Sequence, residues 1–310
     1  MYIGIDVGGT NLAAGLVTPE GKILARAKCP TRAEREPQAI ASDMAELVLK
    51  LSKETAEEIN SVGIGIPGVV DNAAGRVIRT PNMPFDDFPL SGAINERCPW
   101  QVFLGNDGNV AALGECLAGS ASGASSMVMV TLGTGVGGGI VVGGRIVEGA
   151  GGAAAEIGHM NIQRGGAMCG CGRRGCWEAY ASAKSLVRQT AEALRAHPDS
   201  LLSKALTGDP PHISGRTAFL AAGRGDAVAK TVVEEYLDWV AIGLQNLIFV
   251  LQPEVICIGG GVSNEGAGLI DPLRARIESM RFCQGIRQTE LRLAQLGNDA
   301  GLIGAALLGK

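Results

Sequence analysis

The sequence has no excess of positive charge: 27 Lys and Arg stand against 31 Asp and Glu, a formal net charge of −4. That excludes the basic footprint that nucleic acid or an anionic membrane would need. Long apolar runs are missing as well. Mean hydropathy is positive, at +0.20, yet the most apolar stretches, Met127–Val130 and Leu244–Leu251, fall far short of the ~20 residues that span a bilayer. The opening Met1-Tyr2-Ile3-Gly4-Ile5-Asp6 lacks the basic and then apolar segments of a secretory signal, so the expected location is the cytoplasm. A disulfide framework is also missing. Of the 8 cysteines, Cys29, Cys98, Cys116, Cys257 and Cys283 are scattered and read as small core residues. Cys169, Cys171 and Cys176 are clustered, which in a reducing compartment points to metal before disulfide.

Glycine is what the chain has in plenty, at 46 of 310 residues, about double the usual ~7%. The glycines stand in runs directly after apolar strand-like segments, where backbone must bend sharply or approach a phosphate. With 46% hydrophobic residues and no low-complexity segment, the length predicts two α/β lobes joined by short linkers around one cleft. The first covers residues 1–118, with a C-terminal helix from about 298 to 310 returning to it; the second covers 119–297.

In the first lobe the pattern predicts a strand at Tyr2–Val7, a hairpin from Leu12–Val17 and Ile23–Lys28, and an amphipathic helix carrying Ile40, Met44, Leu47, Val48 and Leu51. Strands at Val62–Ile66 and Gln101–Leu104 and a helix over Asp107–Ala118 follow. The second lobe repeats the plan, with a strand at Met127–Leu132, a glycine turn over Gly133–Gly139 and a returning strand at Ile140–Val142. Later come a long helix from about Asp226 to Leu251, a strand at Val255–Ile258, and a closing helix at Leu302–Leu308.

Three glycine turns could carry phosphate chemistry. In Asp6-Val7-Gly8-Gly9-Thr10-Asn11, bare N–H groups can wrap phosphate oxygens while Asp6 faces a phosphate-bound Mg²⁺ and Thr10 donates to an oxygen; a plain hairpin turn is the competing reading. Gly133-Thr134-Gly135-Val136-Gly137-Gly138-Gly139 has the look of a dinucleotide fingerprint, but Ile140-Val141-Val142 follows it as a strand, whereas that fingerprint opens a helix. Gly259-Gly260-Gly261 follows a buried strand and is either a turn that needs glycine or a floor for adenosine. Asp107, in Gly105-Asn106-Asp107-Gly108-Asn109, sits where a strand gives way to a helix. There it can accept a proton from a substrate hydroxyl or cap the helix.

The most specific signal is His159 followed by Cys169, Cys171 and Cys176. One imidazole and three thiolates complete a tetrahedral set for Zn²⁺ with no open position, which makes the ion structural. Glu156 and Glu178 flank the loop and are not needed by the metal; two carboxylates beside an imidazole suit the reading of a polyol. His197 and His212 stand in polar surroundings and read as surface residues, while Trp177 and Tyr180 read as packing for the loop.

These residues together resemble the ROK family (repressor, ORF, kinase) over nearly the full chain, and Cys169–Ser182 is most similar to its bacterial glucokinases. The resemblance implies an actin/hexokinase-like ATPase fold, ribonuclease H-like duplicated lobes with a structural zinc loop, closing on ATP and sugar. It makes Asp107 the general base toward a sugar 6-hydroxyl, most simply that of glucose, with N-acetylmannosamine, N-acetylglucosamine, fructose or allose as alternatives. It implies that Glu156, His159 and Glu178 hold ring hydroxyls, that Gly68, Asn82 and Asn106 complete the sugar site, and that His159 also binds zinc. Gly8, Gly9, Thr10, Asn11, Thr134, Gly135, Gly260 and Gly261 would lie along the nucleotide, and a homodimer is expected. The family's repressors carry a DNA-binding domain ahead of this part; a strand starting at Tyr2 leaves no room for one here, so no nucleic-acid partner is expected.

Overall fold

A computed structural model describes all residues, Met1–Lys310. Apolar alternation ending in glycines gives β1 (Tyr2–Val7) and β2 (Asn11–Val17), and β3 (Ile23–Pro30) completes a meander. α1 (Pro37–Leu51) starts with proline, which fits a first helical position. It buries Ile40, Met44, Leu47, Val48 and Leu51. Next come β4 (Ser61–Ile66), the short strands β5 (Val69–Asp71), β6 (Arg76–Arg79) and β7 (Asp86–Phe88), then α2 (Leu90–Asn95), β8 (Val102–Asn106) and α3 (Asp107–Ala118). β9 (Ser126–Leu132), β10 (Val136–Val142) and β11 (Arg145–Ile146) precede a long irregular stretch. α4 (Glu178–Ala181), α5 (Ala183–Ala196), α6 (Thr217–Gly223) and α7 (Ala227–Leu251) follow it. β12 (Val255–Gly259), α8 (Ala267–Ser279), β13 (Glu290–Leu293) and α9 (Ala300–Ala306) end the chain. No helix is long and apolar enough to cross a membrane.

Two five-stranded sheets result, ordered β3-β2-β1-β4-β8 and β11-β10-β9-β12-β13, with a third sheet of β5-β6-β7. Counted along its own strands, each large sheet runs third, second, first, fourth, fifth, so the duplicated plan expected from the sequence is present in the topology. In the first sheet β1 pairs antiparallel with β2 and parallel with β4, and β4 pairs parallel with β8.

The chain divides into two compact units, one of Met1–Met127, Gly139–Ala155 and Gln295–Lys310, the other of Val128–Gly138 and Glu156–Ala294. The expected boundary after residue 118 thus gives way to several crossings, with Gly139–Ala155 counted in the first unit. In that unit Ile3, Ile5, Val62, Ile64 and Leu104 pack with α1 residues in one buried cluster, while Tyr2, Val17, Leu302, Ile303 and Ala306 form another around α9. In the second unit Trp177 is fully buried and donates from Nε1 to the Trp239 carbonyl at 2.8 Å, and Tyr236 donates to the Ala181 carbonyl at 2.8 Å.

Several expectations need correction. The glycine run after β9 is a turn only at its start, because Gly137, Gly138 and Gly139 lie within β10. Strand glycines mark close approach, and a Cβ at Gly138 would collide with the Ile157 side chain. The closing helix occupies Ala300–Ala306 and tightens into a 3₁₀ turn at Leu307–Gly309. Cys283 is exposed and is no core residue, whereas Cys98, Cys116 and Cys257 are buried.

Candidate active site

The first unit gathers its polar candidates at the carboxyl ends of parallel strands. In register, Asp6 of β1 stands opposite Gly65 of β4, Gly65 opposite Gly105 of β8, and Ile66 opposite Asn106. Asp6 and Asp107 thus emerge at the same edge, where open α/β sheets put their ligands. Burial pushes the Asp6 carboxyl above the usual carboxylate range, and the negative charge of Asp107 raises it further. Asp6, a half-buried carboxylate beside a glycine turn, is an oxygen donor of the kind that a hard divalent cation takes. The turn itself is braced from behind: Gly8 N–H donates to the Asn11 carbonyl at 2.9 Å, and fully buried Thr31 donates its hydroxyl to the Gly8 carbonyl at 2.6 Å. Thr10 and Asn11 are left exposed.

At the start of α3 the two readings of Asp107 separate. Asn106 is the cap: its Oδ1 accepts from Gly108 N–H at 3.0 Å and from Asn109 N–H at 3.2 Å. Its Nδ2 donates to the Gly68 carbonyl at 2.9 Å, which ties the end of β4 to the helix. Asp107 is the first helical residue and is exposed, its Oδ1 accepting only from Gly108 N–H, at 2.8 Å. Gly68, at φ +119°, packs on the Arg79 carbonyl so closely that any Cβ would collide with it. The loop beyond is fixed by Thr80, whose hydroxyl donates to the Met83 carbonyl at 2.7 Å, and it leaves Asn82 exposed.

The second unit carries its own set of polar candidates. Glu178 begins α4 and accepts from Val136 N–H at 3.1 Å, next to the turn that carries Thr134 and Gly135. A Cβ at Gly135 would strike the Glu178 carboxylate, so the glycine is what lets the acid approach this turn. Gly133 in turn accepts from Ala183 N–H at 2.8 Å, at the start of α5. Gly260, at φ +85°, closes on the Leu132 backbone, where no side chain fits, so it brings the turn after β12 against the end of β9. Exposed Gly261 opens the 3₁₀ turn that follows.

In the Cys/His loop, the ligand atoms of His159, Cys169, Cys171 and Cys176 all lie within 4.8 Å of one another. Sulfurs at the corners of a tetrahedral site with ~2.3 Å Zn–S bonds are about 3.8 Å apart. Cys171 and Cys176 Sγ are 3.7 Å apart, and Cys169 Sγ is 3.7 Å from His159 Nδ1. The donor set therefore fits a tetrahedral thiophilic metal ion. Without one, burial pushes the Cys169 thiol up to about 12 and raises that of Cys176, while the Arg173 backbone N–H pulls the Cys171 thiol down. His159 turns its other nitrogen outward, Nε2 lying 3.9 Å from Glu156 Oε2, and Glu156 is exposed. Trp177 and Tyr180 pack the loop: the Tyr180 ring lies 4.5 Å from that of Trp239, and its hydroxyl accepts from Ala167 N–H at 2.6 Å. His197 and His212 are exposed.

Two supporting residues escaped the sequence reading. Thr31 is one. Glu115 is the other: fully buried in α3, it accepts from the N–H groups of Ser120 at 2.8 Å, Gln295 at 2.8 Å and Leu296 at 2.7 Å. Its position in an Ala/Leu helix was the one available hint, since buried acids are rare unless paired.

Known proteins resemble this chain along its whole length. A family model described as the ROK family matches residues 2–310. A glucokinase of Halalkalibacterium halodurans is 37% identical over 314 residues, covering 100% of this chain and 94% of that protein. A glucokinase of Streptomyces coelicolor is 38% identical over 313 residues, covering 100% and 98% respectively. Among solved structures, a ROK family glucokinase from Streptomyces griseus in complex with glucose and AMPPNP aligns with a TM-score of 0.74 at 36% identity, covering 98% of this chain and 97% of that one. The duplicated sheets are those of the actin/hexokinase-like α/β fold. A match of this extent, over a chain that carries both the glycine turns and the His/Cys loop, means that the protein belongs to the ROK family.

Proposed function

We propose that this chain transfers the γ-phosphoryl group of ATP to the 6-hydroxyl of a hexose, with glucose as the favoured acceptor. The observation that carries the reading is Asp107, exposed at the carboxyl edge of the sheet and relieved of capping by Asn106. Full-length similarity to glucokinases supports glucose as the acceptor, and the glucose and AMPPNP bound to the Streptomyces griseus relative support the substrate pair.

Phosphoryl transfer asks little covalent chemistry of a protein, so catalysis is positioning and charge stabilisation. Asp107 takes the proton of the 6-hydroxyl as that oxygen bonds to the γ-phosphorus and the bond to ADP breaks. Glu156 and Glu178 each offer acceptor oxygens to ring hydroxyls, and the outward nitrogen of His159 serves beside them. Asn106 has one N–H left for the sugar after holding Gly68, and Asn82 reaches from its exposed loop. The backbone at Gly8, Gly9, Thr134 and Gly135 cradles phosphates, the hydroxyl of Thr10 adds a donor, Asn11 lines the turn, and Gly260 and Gly261 flank the adenosine. Asp6 would hold Mg²⁺, which when bound offsets phosphate charge. His159, Cys169, Cys171 and Cys176 would hold a structural Zn²⁺, which when bound fixes the loop bearing Glu156 and Glu178.

The test is Asp107→Asn. Turnover with glucose and MgATP should fall at least ~10²–10⁴-fold, the share a general base supplies, while glucose affinity by calorimetry stays within error of the wild type. Near-normal turnover would refute the assignment of the base.

A further inference from the structure

Helix α9 reads Ala300-Gly301-Leu302-Ile303-Gly304-Ala305-Ala306, and its two glycines meet different neighbours. A Cβ on Gly304 would run into the Val110 carbonyl and then the Gly114 nitrogen of α3, so helix packing demands that glycine. A Cβ on Gly301 would instead meet a side chain first. Its three nearest atoms would be those of the Asp6 carboxyl group: Cγ at 3.2 Å, Oδ1 at 3.3 Å and Oδ2 at 3.4 Å.

Near-equal distances to all three atoms put that Cβ over the flat face of the carboxylate. The spacing is below ordinary van der Waals contact, so the carboxylate would have to shift by a few tenths of an ångström. Backbone conformation does not explain the glycine either: Gly301 lies inside α9 and is not among the residues at positive φ. Glycine is a poorer helix former than alanine. At this position the helix forgoes propensity, and what it gains is clearance at Asp6.

We propose that Gly301 is a positioning residue that keeps one face of the Asp6 carboxylate clear and sets where that carboxylate meets the magnesium nucleotide. This rests on the reading of Asp6 as the acid that faces the metal-bound phosphates. It reaches further by giving the last helix of the chain, far from β1 in sequence, a part in the nucleotide site.

The experiment compares Gly301→Ala with the wild type in the full-length protein. Because alanine suits the helix better, Tm should equal or exceed that of the wild type, and glucose affinity should not change. Titration calorimetry with MgADP, which involves no turnover, should show affinity lowered about 3- to 10-fold, a modest share of what a full 1 Å misplacement costs; kcat should fall in step. Asp6→Ala removes the group through which Gly301 acts, so adding Gly301→Ala to it should change MgADP affinity no further. Wild-type MgADP affinity in Gly301→Ala would overturn the proposal, as would a marked loss of Tm, which would assign the glycine to packing. An undiminished effect in the Asp6→Ala background would overturn it too. Wild-type affinity in Asp6→Ala alone would instead sink the reading of Asp6, and this proposal with it.

Discussion

Asp107 and Asn106 are neighbours of nearly the same size, and either side chain could have capped α3. From sequence Asp107 alone is weighed, as base or as cap; which residue caps is decided by backbone angles at one position, which neighbouring letters do not fix. The structure gives the cap to Asn106 and leaves Asp107 exposed. The clustering of His159 with the three cysteines was legible for the opposite reason: Cys and His are scarce, and the spacing of Cys169, Cys171 and Cys176 limits what a turn can do with them. Thr31 and Glu115 were not legible, since their partners lie 23 and up to 181 residues away. The proposed zinc assignment gives a prediction at this scale. Metal analysis of the purified protein should find zinc, and Cys171→Ser, which replaces a thiolate with a poor zinc ligand, should lose most of it and bind glucose more weakly. Full zinc content, or a zinc-free variant with unchanged glucose affinity, would contradict the structural role of the ion.

At the scale of elements, strands and helices with strong periodicity came through closely: β1 matches its expected bounds, as does α3. The short strands β5, β6 and β7 did not come through. Three or four residues carry too little alternation to be distinguished from loop, and tertiary pairing makes them strands. The long helix α7 shows how its start is fixed. Asp226 caps it, accepting from Ala229 N–H at 2.7 Å, and also accepts from Leu201 N–H at 2.9 Å and the Ser200 hydroxyl at 2.9 Å. The Ala229 N–H contributes most to holding the Asp226 carboxyl below the usual carboxylate range, against a smaller opposing effect of burial. A carboxyl with a lowered folded-state pKa stabilises the protein when ionised, above its unfolded value, and that stability is lost as pH falls through the folded value. Asp226→Ala should therefore cost ~1–2 kcal/mol in urea denaturation at neutral pH, as lost caps do, and the cost should shrink in acid below the ordinary carboxylate range. Asp226→Asn, which keeps a capping oxygen, should cost less. An equal cost at all pH values would show that the carboxylate charge plays no part.

For the molecule as a whole, the repeat seen faintly in the sequence becomes two sheets of the same strand order. The division into units was harder to read, because the chain crosses between them at several points. Gly139–Ala155 and Gln295–Lys310 join the first unit through contacts distant in sequence, and no composition change marks their ends. The preferred hexose is likewise a property of the folded pocket, in which one repositioned side chain changes discrimination by a few kcal/mol. The measurement that tests the central claim most directly is ADP release from MgATP against glucose, mannose, fructose, allose, N-acetylglucosamine and N-acetylmannosamine, with the product identified by phosphorus NMR. The prediction is a clear preference for glucose and a product phosphorylated at the 6-hydroxyl. Preference for another of these sugars would keep the chemistry and move the substrate. No turnover on any of them, with sugar binding intact, would contradict the kinase reading and make Asp107 a surface acid of a sugar sensor.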